Sequence, residues 1–105
     1  MTTAQPRDII GHVDDLSDAM KAAKTIDEIE KSWLHFYLIE SHIERTWPND
    51  RRLMDTLRRL KNGLSQYTRD FREGLPSPYS GWRADLSSLR SQVSPQYDRN
   101  GWPTT

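Results

Sequence analysis

The chain has no cysteine among its 105 residues, which excludes disulfides, thiolate zinc sites, iron–sulfur clusters and cysteine nucleophiles. Its stability must come from packing. No apolar run approaches the roughly 20 residues needed to cross a bilayer, and Met1-Thr2-Thr3-Ala4-Gln5-Pro6 lacks the basic and apolar regions of a signal peptide. The expectation is a soluble, cytoplasmic protein. There is no period-two run of β-branched residues, hence no strand signal, and no internal repeat. There is no net charge either, with 15 basic residues against 15 acidic ones.

What is present suits one economical core. The length falls within the usual range of a single domain, and no composition break divides residues 1–105. Only 34% of the residues are hydrophobic, so four Trp, four Tyr and two Phe must supply much of the buried area. The charges are unevenly placed. Residues 1–44 hold four Lys/Arg against nine Asp/Glu, and residues 45–105 hold eleven against six, so the chain is polarised along its length.

Apolar spacing predicts four helices. Ile9, Val13, Leu16, Met20 and Ala23 alternate steps of four and three, which gathers them on one stripe of a helix over about 6–24, with Asp14, Asp15 and Asp18 on the other side. Thr25 followed by Glu28 fits a capping box and starts a second helix, about 25–47, which Pro48 stops. On it Ile26, Ile29, Trp33, Phe36, Ile43 and Trp47 share a face, and Leu34 and Leu38 lie nearly opposite. Asn49 or Asp50 caps a third helix, about 50–73, in which Leu53, Leu57, Leu60, Leu64, Tyr67 and Phe71 repeat without a break. Gly74 supplies its left-handed C-cap and Pro76 prevents continuation. After the turn-rich residues 74–81, Trp82, Leu86, Leu89 and Val93 mark a helix over about 81–93, followed by a polar tail, 94–105. The fold class expected is all-α: a small bundle of three long helices, a shorter C-terminal helix and an extended tail.

Candidate chemistry is sparse. Arg7-Asp8-Ile9-Ile10-Gly11-His12 has an Arg and a His separated by four residues, a spacing that resembles the HEPN ribonuclease motif, in which these residues act on RNA phosphates. The resemblance covers six residues and opens the first helix, whereas the family's motif lies in a late one; residues five apart also diverge by about 140° around a helix. The reading taken is a surface arginine with a flanking histidine. His35 and His42 stand seven residues and about 10 Å apart along the axis, too far for one ion. Neither has a carboxylate or second histidine three or four residues away. No metal, cofactor or small-molecule ligand is expected.

Glu40 falls in the middle of the Trp33, Phe36, Ile43, Trp47 stripe, so it reads as a buried charge that needs a partner, an arginine from helix three or four or an indole N–H. Helix three carries Arg51, Arg58 and Arg69 almost opposite its leucines, with Arg52, Arg59, Lys61 and Arg72 on the flanks. This row reads as a solvated face diluted by Asp55 and Asp70, as a surface for an acidic protein partner, or as a track for a nucleic-acid backbone. Leu34 and Leu38 are the other candidate surface, either covered by Tyr97 and Trp102 of the tail or open to a partner.

Without Gly-rich loops, paired catalytic groups or cysteines, no enzyme is expected. The sequence therefore points to a small helical interaction or regulatory protein, acting through protein–protein contacts as a homo-oligomer or complex subunit. Leu34, Leu38, Tyr97 and Trp102 are the expected protein-binding residues. The alternative is a nucleic-acid-binding protein that uses Arg51, Arg58, Arg69 and Arg72. No membrane association is expected.

Overall fold

The four stripes form four helices, α1 (Pro6–Ala22), α2 (Ile26–Thr46), α3 (Arg51–Arg72) and α4 (Trp82–Asp98). They are seen in a computed structural model that describes the backbone of residues 6–98 and the side chains of residues 9–93. Among the described residues there is no strand, and no helix is long and apolar enough to cross a membrane.

Local chemistry sets the helix ends. Glu28 N–H donates to the Thr25 hydroxyl at 3.2 Å, and the Glu28 carboxylate accepts from Thr25 N–H at 3.1 Å and Lys24 N–H at 2.7 Å. Together these satisfy amides that the first turn of α2 leaves without partners. Asp50 caps α3 by accepting from Leu53 N–H at 3.0 Å. At the far end Gly74 takes φ +73°, its N–H reaches the Phe71 carbonyl and Leu75 N–H reaches that of Asp70. That pair of bonds is the Schellman arrangement, which favours glycine at the left-handed position.

Short connections make sequential helices antiparallel neighbours, and cross-helix pairs run in opposite senses as that requires. His12 stands beside His35 between α1 and α2. Trp33 bonds Thr68 and Glu40 meets Lys61 between α2 and α3. Gln92 bonds Thr56 between α3 and α4. Packing of α1 on α4 closes a four-helix ring whose diagonal pairs face each other across the core.

Ile9, Val13, Leu16 and Met20 of α1, Leu53, Leu57, Leu60 and Leu64 of α3, and Trp82, Leu86, Leu89 and Val93 of α4 are all buried. Each fully buried side chain of this kind contributes about 1.5–3 kcal/mol of transfer free energy. At Gly63 of α3 the backbone approaches α4 closely: a β-carbon there would stand 3.2 Å from Trp82 Cβ and 3.3 Å from Trp82 Cα.

Several expectations need correction. On α2 the buried residues are Ile29, Ser32, Phe36, Ile39, His42 and Ile43. The helix is therefore turned by roughly 60° from the predicted stripe, at about 100° per residue. Ile39 and His42 move into the core, and Glu40 moves to its rim. The C-terminal helix is not the short one, because α4 matches α1 at 17 residues and continues through Pro95 to Asp98, where an extended tail was expected from residue 94. Proline at this position withdraws one helical bond, that to the Ser91 carbonyl, without ending the helix. Asp70, expected on the solvated arginine face, is buried at 8% exposure. Its carboxylate accepts from Tyr79 N–H at 2.8 Å and from the Gln66 amide at 2.7 Å, which ties the α3–α4 connection to the bundle.

Candidate interaction face between the second and third helices

The rotation of α2 decides which of its side chains meet water. Leu34 is 62% exposed, Tyr37 49% and Leu38 42%. Spaced by three and four residues, they form one outward apolar ridge. The other two expected members of this surface, Tyr97 and Trp102, lie outside the described side chains.

Tyr37 stands between the ridge and a groove of about 490 Å³ that runs between α2 and α3. Trp33 and Tyr37 line it from α2, Ser65 and Thr68 from α3, and Glu30, Lys61, Arg69 and Arg72 surround it. The half-buried Trp33 ring packs edge-on against Phe36 at 5.5 Å and its N–H donates to the Thr68 hydroxyl at 2.9 Å. That hydroxyl donates in turn to the Leu64 carbonyl at 2.7 Å. The aromatic side of the groove is thus held by both packing and a hydrogen-bond chain, which fixes its shape.

The two walls carry opposite charge. Glu30 stands on the α2 side of this groove and Lys61, Arg69 and Arg72 on the α3 side, while a separate cavity of about 260 Å³ that shares Lys61 with it sets Glu40 and Glu44 of α2 against Arg58 and Lys61 of α3. Glu40 is the expected partnered carboxylate, but its side chain is 24% exposed and its partner is Lys61 at 3.6 Å, not an arginine or an indole. Arg72 pairs with Glu30 at 2.9 Å and Arg58 with Asp55 at 2.6 Å, each between half-exposed side chains. Such pairs contribute at most about 1 kcal/mol each, so an incoming charged partner can replace them. Arg51 and Arg69 have no ion pair among the described residues. They lie 18 residues apart, hence on one side of α3 but about 27 Å from each other.

Three other side chains with metal-ligating atoms come together among the described residues. His12 and Asp15 of α1 and His35 of α2 offer ligand atoms that all lie within 4.8 Å of one another. His42 takes no part in it: it is buried, with its ring 5.9 Å from that of Trp47. Arg7 of the ribonuclease-like spacing lies outside the described side chains, so no geometry joins it to His12.

No family model, curated protein or solved structure matches this chain. The functional reading therefore rests on the geometry of its own surfaces.

Proposed function

We propose that this chain works by binding rather than by catalysis, and that the α2–α3 face is where it receives another protein, either a second copy of itself or another subunit. The observation that carries this reading is the contiguous exposure of Leu34, Tyr37 and Leu38 beside the Trp33 groove. Single exposed apolar residues are ordinary on protein surfaces, whereas three adjacent large ones next to a preformed groove are a usual feature of interfaces. The walls support self-association in particular. In a two-fold dimer the acidic α2 side of one copy meets the basic α3 side of the other, and the apolar ridges are covered together.

The arginine row supports the nucleic-acid alternative less well. Of the four arginines on which that alternative rests, Arg58 and Arg72 already face carboxylates, and Arg51 and Arg69 are separated by five helical turns.

Sedimentation of the purified chain across a concentration series tests the proposal. The expected result is a reversible dimer or higher species that is lost when Leu34 and Leu38 are both replaced by Glu. A monomer at every concentration, together with nucleic-acid binding that falls steeply with salt and disappears in Arg51→Glu, Arg69→Glu, would establish the alternative instead.

A further inference from the structure

We propose that His12, Asp15 and His35 form a binding site for a divalent transition-metal ion, with zinc the best match to the ligand set, and that the ion clamps α1 to α2. Three observations converge on it. His12 and Asp15 are three residues apart on α1 and so present their side chains from one face. The antiparallel α2 sets His35 opposite them, with the two imidazole rings 6.4 Å apart between centroids and tilted by 35°. The ligand atoms of all three residues lie within 4.8 Å of one another, against about 3.3 Å between neighbouring ligands on a tetrahedral zinc ion with bonds near 2.05 Å.

The remaining gap is small, and the residue best able to close it is exposed. Asp15 faces solvent and makes no hydrogen bond or ion pair among the described residues, so its carboxylate is free to swing toward the rings. Its neighbour Asp14 is engaged elsewhere, by Arg90 at 2.9 Å.

The histidines themselves supply the independent indication. Nδ1 of His12 and Nδ1 of His35 are both buried and both lack a hydrogen-bond partner. A buried imidazole nitrogen without a partner is costly, and native structures rarely keep one without a reason. Here two occur side by side, on the residues that flank an uncommitted carboxylate. An ion held between the rings neutralises the Asp15 charge and gives the imidazoles the ligand role in which an unprotonated nitrogen is favourable.

Two nitrogens and one carboxylate oxygen suit a borderline cation such as Zn²⁺. Calcium and magnesium prefer sites built from oxygen alone. Three protein ligands leave a fourth position for water. The site lies between α1 and α2 and does not draw on the α2–α3 groove, so the clamp and the interface stand or fall separately.

Calorimetric titration of the chelator-treated full chain with Zn²⁺ at neutral pH tests the proposal. One ion per chain is expected to bind, with the unfolding temperature raised on saturation. Affinity should fall by about tenfold or more in each of Asp15→Asn, His12→Gln and His35→Gln. Asp18→Asn, which removes the same charge one turn further along α1, should leave affinity within about twofold because it alters only a screened surface charge. Co²⁺ bound in place of Zn²⁺ should give visible d–d absorption that is absent from the His35→Gln chain. Circular dichroism confirms folding of each variant, and Asp15→Asn decides the matter if either histidine variant unfolds. Equal affinity in the wild type and Asp15→Asn, or no uptake of one ion per chain, overturns the proposal.

Discussion

The indole N–H of Trp33 on α2 donates to the hydroxyl of Thr68 on α3 at 2.9 Å, across a separation of 35 residues in sequence. Thr68→Val keeps the shape of the side chain and removes the acceptor, leaving a half-buried indole N–H without a partner. Chemical denaturation should register a loss of about 1–2 kcal/mol. In a double-mutant cycle with Trp33→Phe the second substitution should cost less than it does alone, because the bond is already gone. Additive losses would mean that the two side chains contribute independently.

Leu34 and Leu38 are exposed in the single chain, so Leu34→Glu with Leu38→Glu should change its stability by no more than about 0.5 kcal/mol per site. Association, by contrast, should be abolished. Measuring both quantities on the same double variant separates the surface role from a core role. A large drop in unfolding free energy would place these leucines in the packing of the fold.

Two helical glycines should respond in opposite directions to alanine. Gly11 of α1 has nothing within 4 Å of an added β-carbon, and Gly11→Ala should stabilise the chain by about 1 kcal/mol through helix propensity. Gly63 is different. A β-carbon there meets the Trp82 backbone at 3.3 Å, and since an atom of a packed helix does not swing aside as a side-chain tip does, Gly63→Ala should destabilise by about 1–2 kcal/mol despite the same propensity gain. Paired thermal melts read both.

The capping box at the start of α2 has a definite pH dependence. The carboxyl of Glu28 titrates below its usual value of 4.5, chiefly because the Lys24 backbone N–H bonds its charged form, with the Thr25 N–H and hydroxyl adding to the effect. A carboxyl depressed on folding stabilises the native state above its unfolded pKa, and this contribution disappears as pH falls through the folded value. Wild type should therefore exceed Glu28→Gln in stability at neutral pH, and the gap should narrow as pH falls through the lowered Glu28 value. NMR titration of the Glu28 side chain should give a midpoint below the ordinary glutamate value.

The all-α class, both ends of α3 and the start of α2 could be read from the chain because they depend on residues within a few positions of each other. Thr25 reaches Glu28, Asp50 reaches the amide of Leu53, and Gly74 closes α3 through its own backbone angle. The leucine repeat of α3 likewise needs only helical periodicity to declare its buried side. Periodicity had less to act on in α4, where the apolar repeat stops at Val93 and Pro95 suggests a stop that the backbone does not make.

On α2 the amino-acid order set Leu34 and Leu38 opposite the main apolar stripe but misplaced the buried face by roughly 60°. Apolar residues on two sides permit more than one burial angle, and contact with the neighbouring helices selected the one that hides Ile39 and His42, gives Glu40 to Lys61, and leaves Leu34, Tyr37 and Leu38 in solvent. The burial of Asp70 and the meeting of His12, Asp15 and His35 are of the same kind. Spacing along one strand of chain states which side chains share a helical face, but which faces of different helices come together is set by packing of the whole bundle, and on that packing the proposed interface and the proposed metal site both depend.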